Sequence, residues 1–299
     1  MHGGVASDPV QDDLIARRAR CPASSANIGP GFDTLALALA LYVEVEVRPA
    51  DRLTVVAEGE GHDLATDQTH LAARVAMDVA GSEGLHITVR SEIPVARGLG
   101  SSAALAVAAA AAAGATDPLG MATVVDGHPE NAAASVLGGL VTATMLGPRP
   151  VACRMPLDPG LVFVAVVPDR ALHTHQSRDA LPPTVLHEDA AFNLGRMGLL
   201  LSGLADRRRL VREATEDRLH QLQRTPLFPA APVLLAGLVD AGATAACWSG
   251  SGPTLLAICD QAVGPEVRAA GEHLLAESGV QGRALLLHAD TLGLVVEPI

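Results

Sequence analysis

A glycine-rich loop that follows a short apolar strand is the most informative stretch of this sequence. The strand is predicted at residues 86–89, and the loop at residues 97–102, with the sequence RGLGSS, leads into a long alanine-rich helix. The first backbone amides of a helix have no partner within it, and the helix dipole makes this end positive. Because glycines let the backbone approach an anion closely, the loop is predicted to bind phosphate. The alternative is a tight strand-to-helix turn with a serine as the helix N-cap.

The loop differs from a Walker-A motif, which requires a lysine after its last glycine. Here Ser101 follows Gly100, and the 21 basic residues counted as Lys+Arg are all arginine. Any nucleotide chemistry must therefore use backbone amides, hydroxyl groups, arginines and a metal ion.

A second loop of small residues spans residues 22–33, with the sequence PASSANIGPGFD. It can bring Asn27 and Asp33 to the wall of a pocket, where the amide both donates and accepts and the ionised carboxylate only accepts. Such a pair suits a small ligand that carries a hydroxyl or an ammonium group. The alternative is a capped turn in which Asp33 is the N-cap of the element that follows.

A third motif is DGHPEN at residues 126–131. Asp126 or Glu130 offers carboxylate oxygens of the kind that Mg²⁺ prefers. His128 could contact a ligand carboxylate, although a histidine in a turn can equally be solvated.

Two arginines and a glycine-serine loop complete the candidates. Residues 249–254, SGSGPT, are either a hairpin turn or a second wall of the same pocket. Arg178 and Arg224 are predicted in loops flanked by proline, where a guanidinium group can bind a carboxylate in bidentate fashion or simply face solvent.

Composition restricts the class of protein. The chain has 299 residues, a net charge of -12 and only 2% aromatic residues, which argues against nucleic-acid and anionic-membrane partners. Its four cysteines are scattered, so neither a zinc ribbon nor a redox motif is predicted. The N-terminus does not resemble a signal peptide and no apolar run predicts a membrane span, so a cytoplasmic protein is expected.

The chain is predicted to be α+β with two lobes, because strands and helices mix without a regular βαβ rhythm. Residues 1–18 are predicted to be a disordered leader, residues 19–148 an N-terminal lobe and residues 149–299 a C-terminal lobe, with the boundary at the GPRP sequence of residues 147–150. Residues 53–56 are expected to pair with the alternating strand at residues 41–47.

Four motifs together resemble the GHMP small-molecule kinases, and among them the members that act on homoserine. The motifs are PASSANIGPGFDTLALAL, IPVARGLGSSAA, GHPENAAASVLGG and WSGSGPT, and their order and spacing agree with the family from about residue 20 to the C-terminus. The homoserine-specific features are NIGPGFD, GHPEN, THQSR followed by LP, and HQxxR followed by LxP.

This resemblance implies a βαβ-containing N-terminal lobe, a ferredoxin-like C-terminal lobe and a site between them. It implies ATP-dependent phosphorylation of the hydroxyl of L-homoserine to O-phospho-L-homoserine, on the route to threonine, with Mg²⁺ as cofactor, and it is compatible with a homodimer. The segment implied to wrap the ATP phosphates consists of Pro94, Val95, Ala96, Arg97, Gly98, Leu99, Gly100, Ser101, Ser102, Ala103 and Ala104.

The resemblance also assigns the amino-acid substrate and the metal. The residues implied to hold homoserine are Asn27, Asp33, His128, Asn131, Arg178 and Arg224. Asp33 would orient the hydroxyl group, the two arginines would bind the carboxylate, and Ser102 with Asp126 would bind the metal.

The sequence departs from the family pattern near the metal. Val124 stands where the family has the first glutamate of its Glu-x-Glu-Gly-His run, and Glu130 replaces the usual aspartate. Residues 114–120 also replace much of a helix. Two alternatives stay open: a kinase for another small amino alcohol, and a non-catalytic relative that binds the amino acid or ATP.

Overall fold

The computed structural model describes residues 15–299. Its first strand begins at Arg17, so the last two residues of the predicted leader belong to a sheet, while residues 1–14 lie outside the described range. The strands are β1 (Arg17–Asn27), β2 (Gly31–Pro49), β3 (Thr54–Gly59), β4 (Leu85–Ser91), β5 (Leu140–Leu146), β6 (Arg149–Met155), β7 (Leu161–Pro168), β8 (Ala245–Trp248), β9 (Leu255–Asp260), β10 (Gly282–Leu287) and β11 (Val295–Pro298).

Helices cover both sheets. They are α1 (Leu71–Ala80), α2 (Ser101–Ala113), α3 (Pro118–Asp126), α4 (Glu130–Leu137), α5 (Thr174–Asp179), α6 (His187–Ala205), α7 (Gln221–Arg224), α8 (Ala231–Asp240) and α9 (Gly264–Glu277). α3 begins at Pro118, so the segment interpreted as shortened in the sequence keeps a helix, with the Asp117 side chain accepting a hydrogen bond from the Gly120 amide as its N-cap.

A seven-stranded sheet forms the N-terminal lobe. Five strands pair in the order β11-β1-β2-β4-β3. In addition, β5 pairs with β2, and β6 pairs with β5. The alternating pattern of residues 41–47 lies in β2, as predicted, but β3 pairs in parallel with β4 rather than with β2. The intervening helix α1 makes this a βαβ unit, because parallel neighbours require a crossover.

The sequence motif taken as a domain boundary is a hairpin turn within this sheet. β5 and β6 pair in antiparallel fashion across it, from Leu140 opposite Met155 to Leu146 opposite Arg149. β11 also returns to this sheet and pairs with β1. The sheets therefore divide near residue 160 instead of residue 148, and the C-terminal end of the chain rejoins the N-terminal sheet.

A four-stranded antiparallel sheet forms the C-terminal lobe, in the order β10-β7-β9-β8. α8 and α9 lie against it. Two crossovers, one before β8 and one between β9 and β10, give the ferredoxin-like arrangement that the family resemblance implies.

The alanine-rich helix α2 lies in the centre of the N-terminal lobe. Its last eleven residues are buried except Leu105, which is partly buried, and it contacts β1, β2, α1, α3 and α4. Alanine has high helix propensity and no bulky side chain, so neighbouring elements can approach the helix closely on every side. This packing holds the N-terminus of α2 in a fixed position at the site.

Among the described residues, no single helix has the length and apolar character needed to cross a membrane.

Candidate functional site

The N-terminus of α2 opens onto a cavity of about 410 Å³. Gly100 is the N-cap of this helix and has φ 66°, so the N-cap is not a serine, and no side chain of the described residues caps the first amides. A Cβ at Gly100 would overlap Oγ of Ser24, whose hydroxyl donates to Oδ1 of Asn131 at 2.8 Å. The loop thus needs glycine both for its backbone angle and for its contact with the opposite wall.

Seven of the eleven predicted phosphate-loop residues line the cavity; they are Val95, Ala96, Arg97, Gly98, Gly100, Ser101 and Ser102. Pro94, Leu99, Ala103 and Ala104 are buried and do not line it. Leu99 and the two alanines belong to the hydrophobic core, which fixes the loop and the first turn of α2.

The glycine-serine loop at residues 249–254 is both a hairpin connection and a wall of the cavity. It joins β8 to β9, and Gly250 and Ser251 line the cavity. The Ser249 hydroxyl donates to the Gly98 carbonyl at 2.6 Å, and a Cβ at Gly98 would overlap the Ser249 carbonyl. Gly98 therefore serves the contact between the two glycine loops.

All six residues predicted to hold the amino acid line this cavity. Asp33 has φ 50° within β2 and is not a helix N-cap. Its carboxylate accepts hydrogen bonds from both Nη groups of Arg178, at 2.7 and 3.1 Å, and its backbone amide donates to Oδ1 of Asn27 at 3.0 Å. Arg178 lies in α5 rather than in a loop.

Arg224 ends the short helix α7, so it too was wrongly predicted in a loop. It is 2% exposed. Its Nη1 donates to the Gly250 carbonyl at 2.8 Å and to Nδ1 of His220 at 2.9 Å, whereas its buried Nε has no hydrogen-bond partner within residues 15–299. Burial, followed by the nearby Arg178 charge, lowers the pKa of Arg224 to about 10, so it is still cationic at neutral pH.

Asp126 lies next to the first turn of α2. The Ser102 hydroxyl donates to its Oδ1 at 2.8 Å. Protein surrounds this carboxylate on most sides while leaving it open to the cavity, and this burial raises its pKa despite the Ser102 hydrogen bond. Val124 is 85% exposed and does not line the cavity.

His128 and Glu130 form a close pair on the same wall. Their Nδ1 and Oε1 atoms lie 2.7 Å apart, without the angles of a hydrogen bond. Burial opposes the charge on His128, but the Glu130 and Asp126 carboxylates outweigh it and raise its pKa. Glu130 is 1% exposed, and its Oε2 has no hydrogen-bond partner in the described part of the chain.

Sequence reasoning missed two parts of this site. Glu130 was considered only as a metal ligand, yet its unpartnered oxygen makes it a candidate for binding a substrate cation. His220 is the first residue of the HQxxR sequence, so a signal was present, but a buried histidine behind the cavity wall has no recognisable spacing of its own.

This is the site of a small-molecule phosphotransferase. The positive end of α2, with hydroxyl and carboxylate groups beside it, suits a phosphate, and the two arginines across the same cavity suit a carboxylate. Family models agree: the GHMP kinases N terminal domain matches residues 63–139 and the GHMP kinases C terminal model matches residues 198–274. The chain belongs to the GHMP kinase family.

Curated relatives share one name. The homoserine kinase of Streptomyces avermitilis is 44% identical over 276 residues, which is 86% of this chain and 90% of the relative. A homoserine kinase of Thermus thermophilus is 41% identical over 283 residues, covering 90% of this chain and 95% of the relative.

Solved structures show the same fold. A crystal structure of homoserine kinase from Cytophaga hutchinsonii superposes with a TM-score of 0.82 at 24% identity and covers 98% of this chain and all of that one. Mevalonate diphosphate decarboxylase from Staphylococcus aureus gives a TM-score of 0.69 at 12% identity, covering 97% of this chain and all of the other. The fold is thus shared with an enzyme of different activity, and substrate choice must depend on the site residues.

Proposed function

We propose that this chain uses ATP to phosphorylate the hydroxyl group of L-homoserine, giving O-phospho-L-homoserine. One observation carries the proposal: a single cavity contains both a helix N-terminus suited to phosphate and a set of charged side chains suited to an α-amino acid. The relatives named homoserine kinase support the choice of amino acid.

The phosphate end of the site consists of the loop before α2. Free amides at this N-terminus and the helix dipole would stabilise the negative charge of the ATP phosphates. Ser101 and Ser102 lie in the first turn of α2 and line the cavity, so their hydroxyls are available to phosphate or to its metal ion.

The amino-acid end is rich in paired charges. Arg178 and Arg224 would bind the substrate carboxylate, and the unpartnered oxygen of Glu130 would accept from the ammonium group. Asp33 would then accept a hydrogen bond from the hydroxyl group. Because Arg178 is already paired with Asp33, the substrate carboxylate must share or displace one of its hydrogen bonds.

The donor set near α2 fits Mg²⁺ carried by ATP. Ser102 and Asp126 supply adjacent oxygen ligands, and no group of three or more His, Cys, Asp or Glu side chains among residues 15–299 could form a metal site from protein alone. Mg²⁺ commonly binds one or two carboxylates plus phosphates and water, which this arrangement allows. When bound, the ion would neutralise charge on the phosphates.

Catalysis would depend mainly on position and charge. The loop amides would hold the transferring phosphoryl group, while Asp33 and Asn27 would hold the hydroxyl group in line with it. The Asn27 side chain already fixes the Asp33 amide and donates to the Gly250 carbonyl at 2.8 Å, so the two walls are connected before substrate binds.

A substrate series tests the proposal. Purified protein with ATP and Mg²⁺ is expected to release ADP with L-homoserine and to form a new phosphate ester by ³¹P NMR. L-2-aminobutyrate lacks the hydroxyl group and should bind without turnover, whereas 4-hydroxybutyrate lacks the ammonium group and should be used poorly. Binding of homoserine and ATP with no release of ADP at any Mg²⁺ concentration would instead indicate a non-catalytic relative. Faster turnover of another amino alcohol would show that this compound, rather than homoserine, is the substrate.

Arginine variants test the carboxylate assignment. Arg178→Ala and Arg224→Ala should each raise the KM for homoserine by at least about ten-fold while changing the KM for ATP far less, since losing a bidentate charged partner costs about 2–5 kcal/mol. Arg268→Ala is the control, because Arg268 is half-exposed and, within the described part of the chain, makes only a 4.0 Å ion pair with Glu272. Equal increases in the KM values for homoserine and for ATP would show that the two arginines do not bind the amino acid specifically.

We also propose a cytoplasmic location. The cysteines are free, with Cys21, Cys247 and Cys259 buried, which is compatible with a reducing compartment. Cell fractionation tests the location, and sedimentation equilibrium measures the oligomeric state, for which the family resemblance is compatible with a homodimer.

A further inference from the structure

His220 lies behind the amino-acid end of the cavity and is completely buried. It does not line the cavity, so it is placed to act through its neighbours. Those neighbours are Gly29 and Phe32 of the loop that carries Asp33, and the substrate-binding candidate Arg224.

The hydrogen bonds of His220 define its tautomer. A guanidinium group can only donate, so Nδ1 of His220 must accept from Nη1 of Arg224 at 2.9 Å. The ring proton is therefore on Nε2, which donates to the Gly29 carbonyl at 2.8 Å. The imidazole is neutral in this arrangement, because a proton on Nδ1 would face the arginine.

Stacking adds a third contact. The Phe32 ring lies 5.3 Å from the His220 ring with an interplanar angle of 27°. The guanidinium carbons of Arg178 and Arg224 lie 5.8 and 5.7 Å from the centroid of the same Phe32 ring. One imidazole thus contacts the ring against which both substrate-binding arginines are placed.

Asp217 holds His220 in turn. This buried carboxylate accepts hydrogen bonds from the backbone amides of Leu219, His220 and Gln221, and from Nδ2 of Asn193, at 2.7–2.9 Å. Four donors satisfy its charge and fix the start of α7. The side chain of the adjacent Gln221 accepts a hydrogen bond from the Trp248 amide and donates one to the Thr215 carbonyl, which fixes α7 to both.

We propose that His220, fixed by Asp217, is the positioning residue that sets the orientation of Arg224 and of the loop at residues 27–33 for the substrate carboxylate. Nη1 of Arg224 is fully used by His220 and Gly250, so the rest of the guanidinium group, including the unpartnered Nε, is left for an incoming carboxylate. The inference rests on the proposed function only for the identity of the amino acid.

Two substitutions separate the contacts of His220. Asparagine retains an acceptor near the position of Nδ1 and loses the donor to Gly29, whereas glutamine can retain the donor near Nε2 and loses the acceptor for Arg224. We expect both His220→Asn and His220→Gln to raise the KM for homoserine by about ten-fold, a change of about 1.4 kcal/mol, with kcat and the KM for ATP changed by less than about three-fold.

A remote core variant controls for lost stability. Leu234 is fully buried in the C-terminal core and belongs to none of these contacts. Leu234→Ala should lower the unfolding temperature at least as much as the histidine variants and leave the KM for homoserine unchanged. If Leu234→Ala raises that KM equally, His220 is merely structural.

A double-mutant cycle tests whether His220 acts through Arg224. In an Arg224→Gln background, His220→Gln should raise the KM for homoserine by less than about three-fold further, because the partner is already absent. Independent, multiplicative effects would overturn the proposal.

Nitrogen NMR of labelled histidine tests the arrangement without any substrate. His220 should show a neutral ring protonated at Nε2 from pH 5 to 8, and the Nδ1 shift should move in Arg224→Gln. A charged ring or the Nδ1 tautomer would overturn the proposal. A protein that gives these spectra but ignores homoserine would instead overturn the proposed function alone.

Discussion

At the scale of single residues, the site depends on groups that are held in place before any ligand arrives. Asn27, Arg224 and the Gly250 carbonyl form one connected set, because both side chains donate to that carbonyl at 2.8 Å. Arg178 and Asp33 form a second, bidentate pair. The first set needs little rearrangement when substrate binds, which favours a productive geometry, whereas the Arg178–Asp33 pair must give up or share a hydrogen bond to admit the substrate carboxylate.

The close approach at Gly100 gives a prediction with an internal control. Gly100→Ala places a Cβ against Ser24 in a left-handed backbone conformation, and should disturb the Ser24–Asn131 hydrogen bond and weaken ATP binding by at least about ten-fold. Gly81 has a similar φ of 62° at the end of α1 but open space around it. Gly81→Ala should therefore show only the backbone cost, about 1 kcal/mol of stability, with normal ATP binding by calorimetry. Equal ATP binding in both variants would contradict the phosphate-loop assignment.

The aspartate beside Ser102 gives the second prediction. Asp126→Asn retains the shape of the side chain but loses its charge, so the Mg²⁺ concentration for half-maximal ADP release should rise by at least about ten-fold. Val124→Glu adds a carboxylate at the family position, but that side chain is 85% exposed and outside the cavity. We expect no improvement from it. An unchanged magnesium titration in Asp126→Asn would show that Asp126 is not a metal ligand. A lower half-maximal Mg²⁺ concentration in Val124→Glu would show that a carboxylate at position 124 reaches the metal.

At the scale of elements, the sequence predicted local structure well where a strong pattern or a capping residue was present. The alternating pattern of residues 41–47 lies within β2, and the alanine-rich helix predicted after the glycine loop is α2, with Gly100 as its N-cap. Sheet partners were harder to predict. Residues 53–56 form a strand, yet its partner is the later strand β4, because pairing across α1 cannot be read from a turn motif.

The predicted boundary at residues 147–150 shows the same limit. Glycine and proline mark a turn, but a hairpin turn and a domain linker have similar composition. Only the register of β5 against β6 shows that the chain stays in the first sheet. The six substrate-binding candidates could be predicted from the sequence because the order and spacing of the motifs match the family as a set, and all six line one cavity. The Arg178–Asp33 pair and the contacts of His220 could not be predicted, because they depend on tertiary packing.

An ion-pair cluster across β1, β2 and β4 gives a pH prediction. Burial alone would raise the pKa of Glu46, but hydrogen bonds from Arg18, Arg48 and Arg90 outweigh it and lower that pKa. A lowered folded-state pKa stabilises the fold above the unfolded-state pKa, near 4.5, and this stabilisation is lost as the pH falls through the folded-state value. Glu46→Gln should thus cost about 2 kcal/mol at pH 7 and much less under acid conditions.

The neighbouring Glu58 provides the control for this cluster. Among residues 15–299 it pairs only with Arg90, and its side chain is 56% exposed. Glu58→Gln should change the free energy of unfolding by well under about 1 kcal/mol at any pH. Urea unfolding at pH 7 and at a series of pH values falling below 4.5 measures both variants, and a Glu46→Gln cost that grows toward acid pH would show that the sign is wrong.

At the scale of the whole molecule, the two sheets share one hydrophobic core. Alternate residues of β7 face opposite sides: Phe163 and Ala165 join the core that contains α2, whereas Val164 and Val166 pack with α8 and α9. Every residue of β7 is buried as a result. The lobes are thus joined by apolar contact as well as by the cavity, which favours cooperative unfolding.

The shared core gives the last prediction, for which Trp248 is a convenient probe because it is the single tryptophan and lies in the C-terminal lobe. ATP is expected to bind the loop before α2, in the N-terminal lobe. If the lobes unfold together, ATP at about 100 times its Kd should stabilise the fold by about 2.7 kcal/mol, and tryptophan fluorescence should report the same shift in unfolding temperature as far-UV circular dichroism. Phe163→Ala removes a large side chain between the sheets and should lower both temperatures, with a cost of about 3–5 kcal/mol. A tryptophan transition that ignores ATP while the circular dichroism transition moves would show that the lobes unfold separately.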